Sequence, residues 1–322
     1  MSRIRMVLFA AVASACLPAA AGAQDGVVAS IKPIHSLVAG VMQGVGAPHL
    51  LVAGAASPHN YALRPSDARA LEAAKLVFWV GPQMEVALDG ALDTLAAGAR
   101  VVTLAGTPGL TLLPFREGGP FEAHAHGDHD DHGDHAEHAS ESHQDHGHGG
   151  HDMHMWLDPQ NAEAMVGAIE TALAEADPAN AAAYARNAGE LRTRLGALSV
   201  ELSAALASVK ERPFIVFHDA YHYFEDRFGL EAAGSITVTP DIMPGAERLR
   251  EIREKVGELG ATCVFSEPQF EPRLVAVATE GTGARTGVLD PLGAALDDGP
   301  ELYFDLMRGM AASLRECLAV NG

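Results

Sequence analysis

Cysteine is scarce: three in 322 residues, none in CxxC spacing and none of the distal pair flanked by histidine. That argues against a thiolate zinc motif and against a scaffold held mainly by disulfides. Basic residues are also few, 22 Lys and Arg against 42 Asp and Glu, for a formal charge of −20. Such a chain repels nucleic acid and anionic lipid, whereas a cation or plain solubility suits it. Beyond the first residues no stretch reaches the ~20 uninterrupted apolar residues of a membrane-spanning helix. There is no HExxH and no GxSxG, and the glycines between Gly281 and Gly287 fit neither a dinucleotide loop nor a phosphate loop. No repeat of 20 to 50 residues signals a solenoid.

The start of the chain is an export signal in composition. A basic opening, Ser2-Arg3-Ile4-Arg5, precedes an apolar run from Met6 to Leu17 and the small-residue site Ala21-Gly22-Ala23. Residues 1–23 read as a signal peptide and place the remainder in the periplasm. A lipoprotein acylated at Cys16 is the competing reading, but Ala13-Ser14-Ala15 lacks the large aliphatic residue such signals carry. Cys263 and Cys317 then remain, and in an oxidising compartment an even pair reads as a disulfide, with a shared thiolate metal site as the alternative.

Between Phe121 and Trp156 lie eleven of the sixteen histidines, interspersed with Asp and Glu. Imidazole suits zinc, copper, nickel and iron, and the carboxylates raise the local negative potential. In the tract 122–153, His124, His126, His129, His132, His135, His138, His143, His146, His148 and His151 are irregularly spaced. They are candidate weak ligands and define no coordination geometry.

Two α/β domains flank a long helix in this reading. From residue 24 to 176, short aliphatic runs alternate with amphipathic stretches, the pattern of βα units around a parallel sheet. Leu191, Leu195, Leu198, Leu202 and Leu206 mark a rigid bridging helix within 177–212, and the alternation resumes over 213–322. The length allows two domains with separate cores. In such sheets ligands lie beyond the carboxyl ends of the strands. His59 follows the run Leu50-Leu51-Val52, His218 follows Phe214 to Phe217, Asp290 follows Val288-Leu289, and His154 precedes the helix that Asp158-Pro159 begins. Brought together in an interdomain cleft, three imidazoles and an oxygen make a tetrahedral zinc set. His35 and His222 read as packed or supporting groups and His49 as a loop residue, while no glutamate stands near the ligands in sequence as an obvious base.

Four segments carry a resemblance: Ser57-Pro58-His59-Asn60-Tyr61-Ala62-Leu63-Arg64-Pro65-Ser66-Asp67, His154-Met155-Trp156-Leu157-Asp158-Pro159, Phe217-His218-Asp219-Ala220-Tyr221 and Leu289-Asp290-Pro291-Leu292-Gly293. Their order, with the His-rich tract before the second, resembles the periplasmic zinc-binding proteins that feed high-affinity zinc ABC importers. The resemblance implies that His59, His154 and His218 ligate Zn²⁺ and that a membrane permease is the partner. Manganese-binding relatives place a carboxylate where this chain has His218. Some zinc members use a glutamate just before the first histidine; here that residue is Pro58, so Asp290 or water must complete the shell. Cys263 and Cys317 resemble a disulfide pair of the family's second domain. The expectation is a monomeric, non-enzymatic carrier of Zn²⁺. A zinc buffer working with other periplasmic chaperones and a zinc hydrolase are the alternatives.

Overall fold

The computed structural model describes residues 25–116, 121, 150–237, 245–260, 263–270 and 273–319. The expected signal peptide and the tract histidines from His124 to His148 lie outside the described residues. Among the described residues no helix is long and apolar enough to cross a membrane.

Two four-stranded parallel sheets share one topology. The first contains β1 (Val27–Ile31), β2 (His49–Val52), β3 (Leu76–Trp79) and β4 (Arg100–Thr103) in the order β2-β1-β3-β4. The second contains β5 (Phe214–His218), β6 (Ala232–Thr237), β7 (Cys263–Ser266) and β8 (Arg285–Val288) in the order β6-β5-β7-β8. The central strands β1, β3 and β5 are buried along their whole length, as strands covered on both faces must be. In each sheet the order reverses between the first and third strands, which opens a crevice at their carboxyl ends. His49, expected in a loop, opens β2 with its side chain exposed.

Helices α1 (Lys32–Val41), α2 (Pro65–Glu72) and α3 (Val86–Leu95) belong to the first sheet, and α4 (Pro159–Ala176) follows the His-rich tract. Asp158 caps α4 by accepting from the Gln160 amide at 2.8 Å, with Pro159 in the first turn, as its sequence requires. The long helix α5 (Ala181–Leu206) has 26 residues and so spans ~39 Å. It stops short of Pro213: the leucine stripe ends at Leu206, and tight turns closed by Val209 N to Leu206 O and Arg212 N to Val209 O replace the last helical bonds.

Helices α6 (His222–Phe228), α7 (Ala246–Leu259), α8 (Arg273–Thr279) and α9 (Leu302–Leu318) complete the second half. Two buried clusters form, the larger of them continuous across both halves. Phe214 and Val216 of β5 face a buried cluster that continues through the α5 leucines to Val28 and Ile31 of β1. Ile215 and Phe217, on the opposite face, join Ile236, Ile252, Val264 and Val275 in a smaller cluster. Helix α9 crosses between the halves: the Tyr303 amide donates to Ser36 Oγ of α1 at 3.0 Å, and Arg308 pairs with Glu201 of α5 at 2.9 Å. Cys317 near its end is disulfide-bonded to Cys263 of β7, which decides between the two readings of that pair.

Glu85 is a buried acid in this frame, 1% exposed, with Oε2 accepting from the Gly81 amide at 2.9 Å. Burial raises its pKa to about 7, opposed in part by Ser30 and the backbone amides of Gly81 and Val80. The folded state therefore binds this proton more tightly than the unfolded state does. Stability falls as pH rises between the ordinary carboxyl value and about 7, by roughly 3 kcal/mol in all. Glu85→Gln is expected to match the parent near about pH 4 and exceed it near about pH 8, as read by urea midpoints. An equal difference at both pH values would show that Glu85 does not titrate in this range.

Candidate metal centre

Each histidine expected at a strand end is placed by local chemistry. After β2 the chain turns at Ser57, whose Oγ accepts from the His59 amide at 3.3 Å and starts the short 3₁₀ turn Pro58–Asn60. The turn is pinned back to its strand. The Tyr61 hydroxyl lies 3.0 Å from Leu51 O and 2.5 Å from Asp67 Oδ2, while Arg64 Nη2 donates to Leu51 O at 2.9 Å. His154 precedes the 3₁₀ turn Met155–Leu157, which runs directly into α4. Trp156 in that turn is fully buried, with Nε1 donating to Pro291 O at 2.9 Å and its carbonyl accepting from Tyr303 Oη at 2.7 Å. His218 is the last residue of β5, beside β7 at the reversal point of the second sheet.

The three rings converge, with centroids 5.2 to 5.8 Å apart. His154 Nε2 and His218 Nε2 are separated by 3.3 Å, and one ligand atom from each of the three residues lies within 4.8 Å of the others. Two nitrogens at the usual zinc distance from one tetrahedral ion stand about 3.3 Å apart, so this pair is already at coordination spacing. Carboxylates sit behind two of the rings. His154 Nδ1 is 2.6 Å from Asp152 Oδ1, and His218 Nδ1 is 2.6 Å from Glu267 Oε1. A proton on each Nδ1 satisfies those carboxylates and leaves each Nε2 lone pair facing the centre.

Burial, reinforced by the two neighbouring imidazoles, pushes the His59 pKa well below its usual value. At His218 burial also opposes the charged form, but the charge and hydrogen bond of Glu267 more than offset it and leave the pKa raised. The cavity the rings enclose is about 10 Å³, with Ser57, Trp156, Gln269 and Phe270 also in its wall. That is room for the centre of an ion or a water between the rings.

Asp290 is not brought into this group. Its Oδ1 accepts from Gln269 Nε2 at 3.0 Å, Leu292 N at 3.1 Å and Gly293 N at 2.9 Å, and its Oδ2 accepts from Ala294 N at 2.6 Å. Those donors use its oxygens to shape the turn after β8. His151 is exposed and bridges to Pro114, at the point where the segments entering and leaving the His-rich tract run side by side. Arg116 on the entering segment is ion-paired with Asp219 and Glu225 of the second half, the latter at 2.7 Å. His35 is buried with Nε2 3.2 Å from Pro48 O, a packing role.

Sequence reasoning missed Asp152, Glu267 and Gln269. Glu267 stands beside His218 as a hydrogen-bond partner of the ring, and it follows β7 as directly as Asp290 follows β8 and its flanking Leu289. The strand-end rule applied to Cys263-Val264-Phe265-Ser266 marks it.

Comparison with known proteins agrees with this geometry. The family described as zinc-uptake complex component A, periplasmic, matches residues 27–317. A high-affinity zinc uptake system protein ZnuA from Brucella suis biovar 1 is 58% identical over 316 residues, covering 94% of this chain and 95% of the relative. The protein of the same name from Paracoccus denitrificans is 41% identical over 321 residues, covering 98% of each. Among solved structures, a ZnuA crystal structure superposes with a TM-score of 0.74 at 24% identity, covering 92% of this chain and 100% of that one. A zinc-bound ZnuA lacking residues 138–173 of its own numbering superposes with a TM-score of 0.71 at 23% identity, covering 93% of this chain and 100% of that one. These two likenesses show the fold. The matched family and the relatives at high identity show that the chain belongs to the ZnuA family of periplasmic zinc-uptake components.

Proposed function

We propose that this protein captures Zn²⁺ between its two sheets, with His59, His154 and His218 as the ligands, and delivers it to the membrane permease of an ABC importer in the periplasm. The convergence of three imidazoles on an ion-sized cavity carries the reading. One chain supplies all three, so a monomer suffices. Removal of residues 1–23 as an export signal belongs to the same proposal. Family membership makes the protein a binding component rather than an enzyme. Glu267, beside the site, is hydrogen-bonded to His218.

Nitrogen ligands favour zinc over manganese. Competitive titration of the two ions against a chromophoric chelator is expected to give one tight zinc site that manganese does not occupy at comparable concentration. Equal affinity for both would contradict the reading.

The His-rich tract is a collector in this proposal, gathering ions through many weak ligands near the cleft. The described segments on either side of it are joined near the cleft: the Asp152 amide donates to Leu113 O at 2.9 Å, and His154 follows two residues later. Deleting residues 122–151 is expected to remove weak zinc sites and leave the tight one, as counted by calorimetric titration. Loss of the tight site in that deletion would refute the collector role.

A further inference from the structure

We propose that Glu267 is a positioning residue that sets the zinc affinity of the cleft. It holds the His218 ring with Nε2 toward the ion and, with Gln269, receives a water on the ion's fourth position. The inference rests on the three-histidine reading and deepens it.

Glu267 has one oxygen committed and one uncommitted. Oε1 lies 2.6 Å from His218 Nδ1, while Oε2 is buried and accepts no hydrogen bond among the described residues. Burial, then the charge of Glu267 and a hydrogen bond to it, raise the Tyr221 pKa well above its usual value, and the phenol oxygen also lies 3.2 Å from Leu289 O. Gln269, two residues on, repeats the arrangement. Its Nε2 donates to Asp290 Oδ1 at 3.0 Å, and because that carboxylate is itself held by backbone amides, the amide of Gln269 is fixed with nitrogen toward Asp290. Its Oε1 is then the free end, also buried and without a donor among the described residues.

Both side chains line the cavity that holds the three imidazoles. Three imidazoles leave a tetrahedral zinc one position. A water there carries two O–H donors made more acidic by the ion, and the two uncommitted acceptors match them. An anionic ligand would meet the Glu267 carboxylate and be repelled. This also gives Asp290 a part: it orients Gln269 from behind.

The test measures zinc affinity by competition and the visible spectrum of the Co²⁺-substituted protein, together with the melting temperature of each metal-free variant. Glu267→Ala is expected to weaken zinc roughly 10–100-fold and to change the Co²⁺ band. Glu267→Gln, whose amide oxygen still accepts from Nδ1–H, is expected to recover most of that and remain about fivefold weaker. Gln269→Leu is expected to shift the Co²⁺ band with a smaller loss of affinity. A residue that served only to hold the fold would lower the melting temperature and leave the Co²⁺ band of the folded fraction unchanged, which would overturn the proposal. So would wild-type affinity in Glu267→Ala, or, should that variant not fold, wild-type affinity and band in Glu267→Gln. The His59/His154/His218 triple alanine variant is titrated alongside. If it binds zinc as the parent does, the cleft reading itself fails; if it does not bind while the Glu267 variants bind normally, only the present inference fails.

Discussion

Alanine at His154 or His218 is expected to weaken zinc binding by roughly 100-fold or more, and alanine at all three histidines to abolish the tight site. The magnitude follows from the ~10–16 kcal/mol of a four-ligand zinc site, or about 3 kcal/mol for each ligand. The single substitutions also take the imidazole partner from a buried carboxylate, Asp152 keeping only the residue-154 backbone amide at 2.9 Å. His154 covers Asp152 and His218 covers Glu267, each at 2.6 Å and each carboxylate nearly inaccessible. Leaving such a charge without its partner costs stability as well, so both variants are expected to melt below the parent even without metal. His59 is partly exposed at its turn, and its loss is expected to lower affinity with a smaller effect on melting. The check is a chelator competition paired with calorimetry of the metal-free proteins. A His218→Ala protein with parental affinity would remove the residue from the site.

The second large effect is on stability. Replacing Cys263 and Cys317 with alanine is expected to cost ~4 kcal/mol, the denatured-state entropy released when a loop of 54 residues is opened. The bond ties the first residue of β7 to the last turn of α9. Gly287 of β8 admits this packing, because a Cβ there would stand 2.6 Å from the Phe265 ring and 3.5 Å from Cys317 Cβ. Helix α9 also supplies Tyr303, whose hydroxyl holds the turn that carries His154. Urea unfolding of the double variant against the oxidised parent measures the cost. Zinc affinity of the folded variant is expected to change little, since each histidine has its own local anchors. An unchanged urea midpoint would mean that the shared core alone fixes α9.

The elements most legible in the sequence are those set by local chemistry. Asp158-Pro159 announces α4, and the stripe from Leu191 to Leu206 announces the buried face of α5. Runs such as Val27–Ile31 and Phe214-Ile215-Val216-Phe217 read as strands because central parallel strands are apolar on both faces. Once strands are placed, the rule that ligands gather at their carboxyl ends selects His59 and His218 from sixteen histidines.

What was not legible depends on contacts distant in sequence. The shared core arises because α9, at the far end of the chain, packs onto α1 and α5, and no periodicity within α9 names its partner. Asp290 looks identical in sequence whether its oxygens face an ion or four donors; only the turn from Leu292 to Ala294 decides. Glu267 meets His218 only because β7 pairs with β5 far away in sequence, although its place after β7 matches that of Asp290 after β8 and Leu289.

The measurement that tests the account most directly is zinc X-ray absorption on the stoichiometric complex of the full chain, compared with the triple-histidine variant. The account predicts three imidazole nitrogens at about 2.0 Å with one oxygen neighbour, a signal the variant cannot form. A sulfur shell, an all-oxygen shell, or the same spectrum in the variant would contradict it.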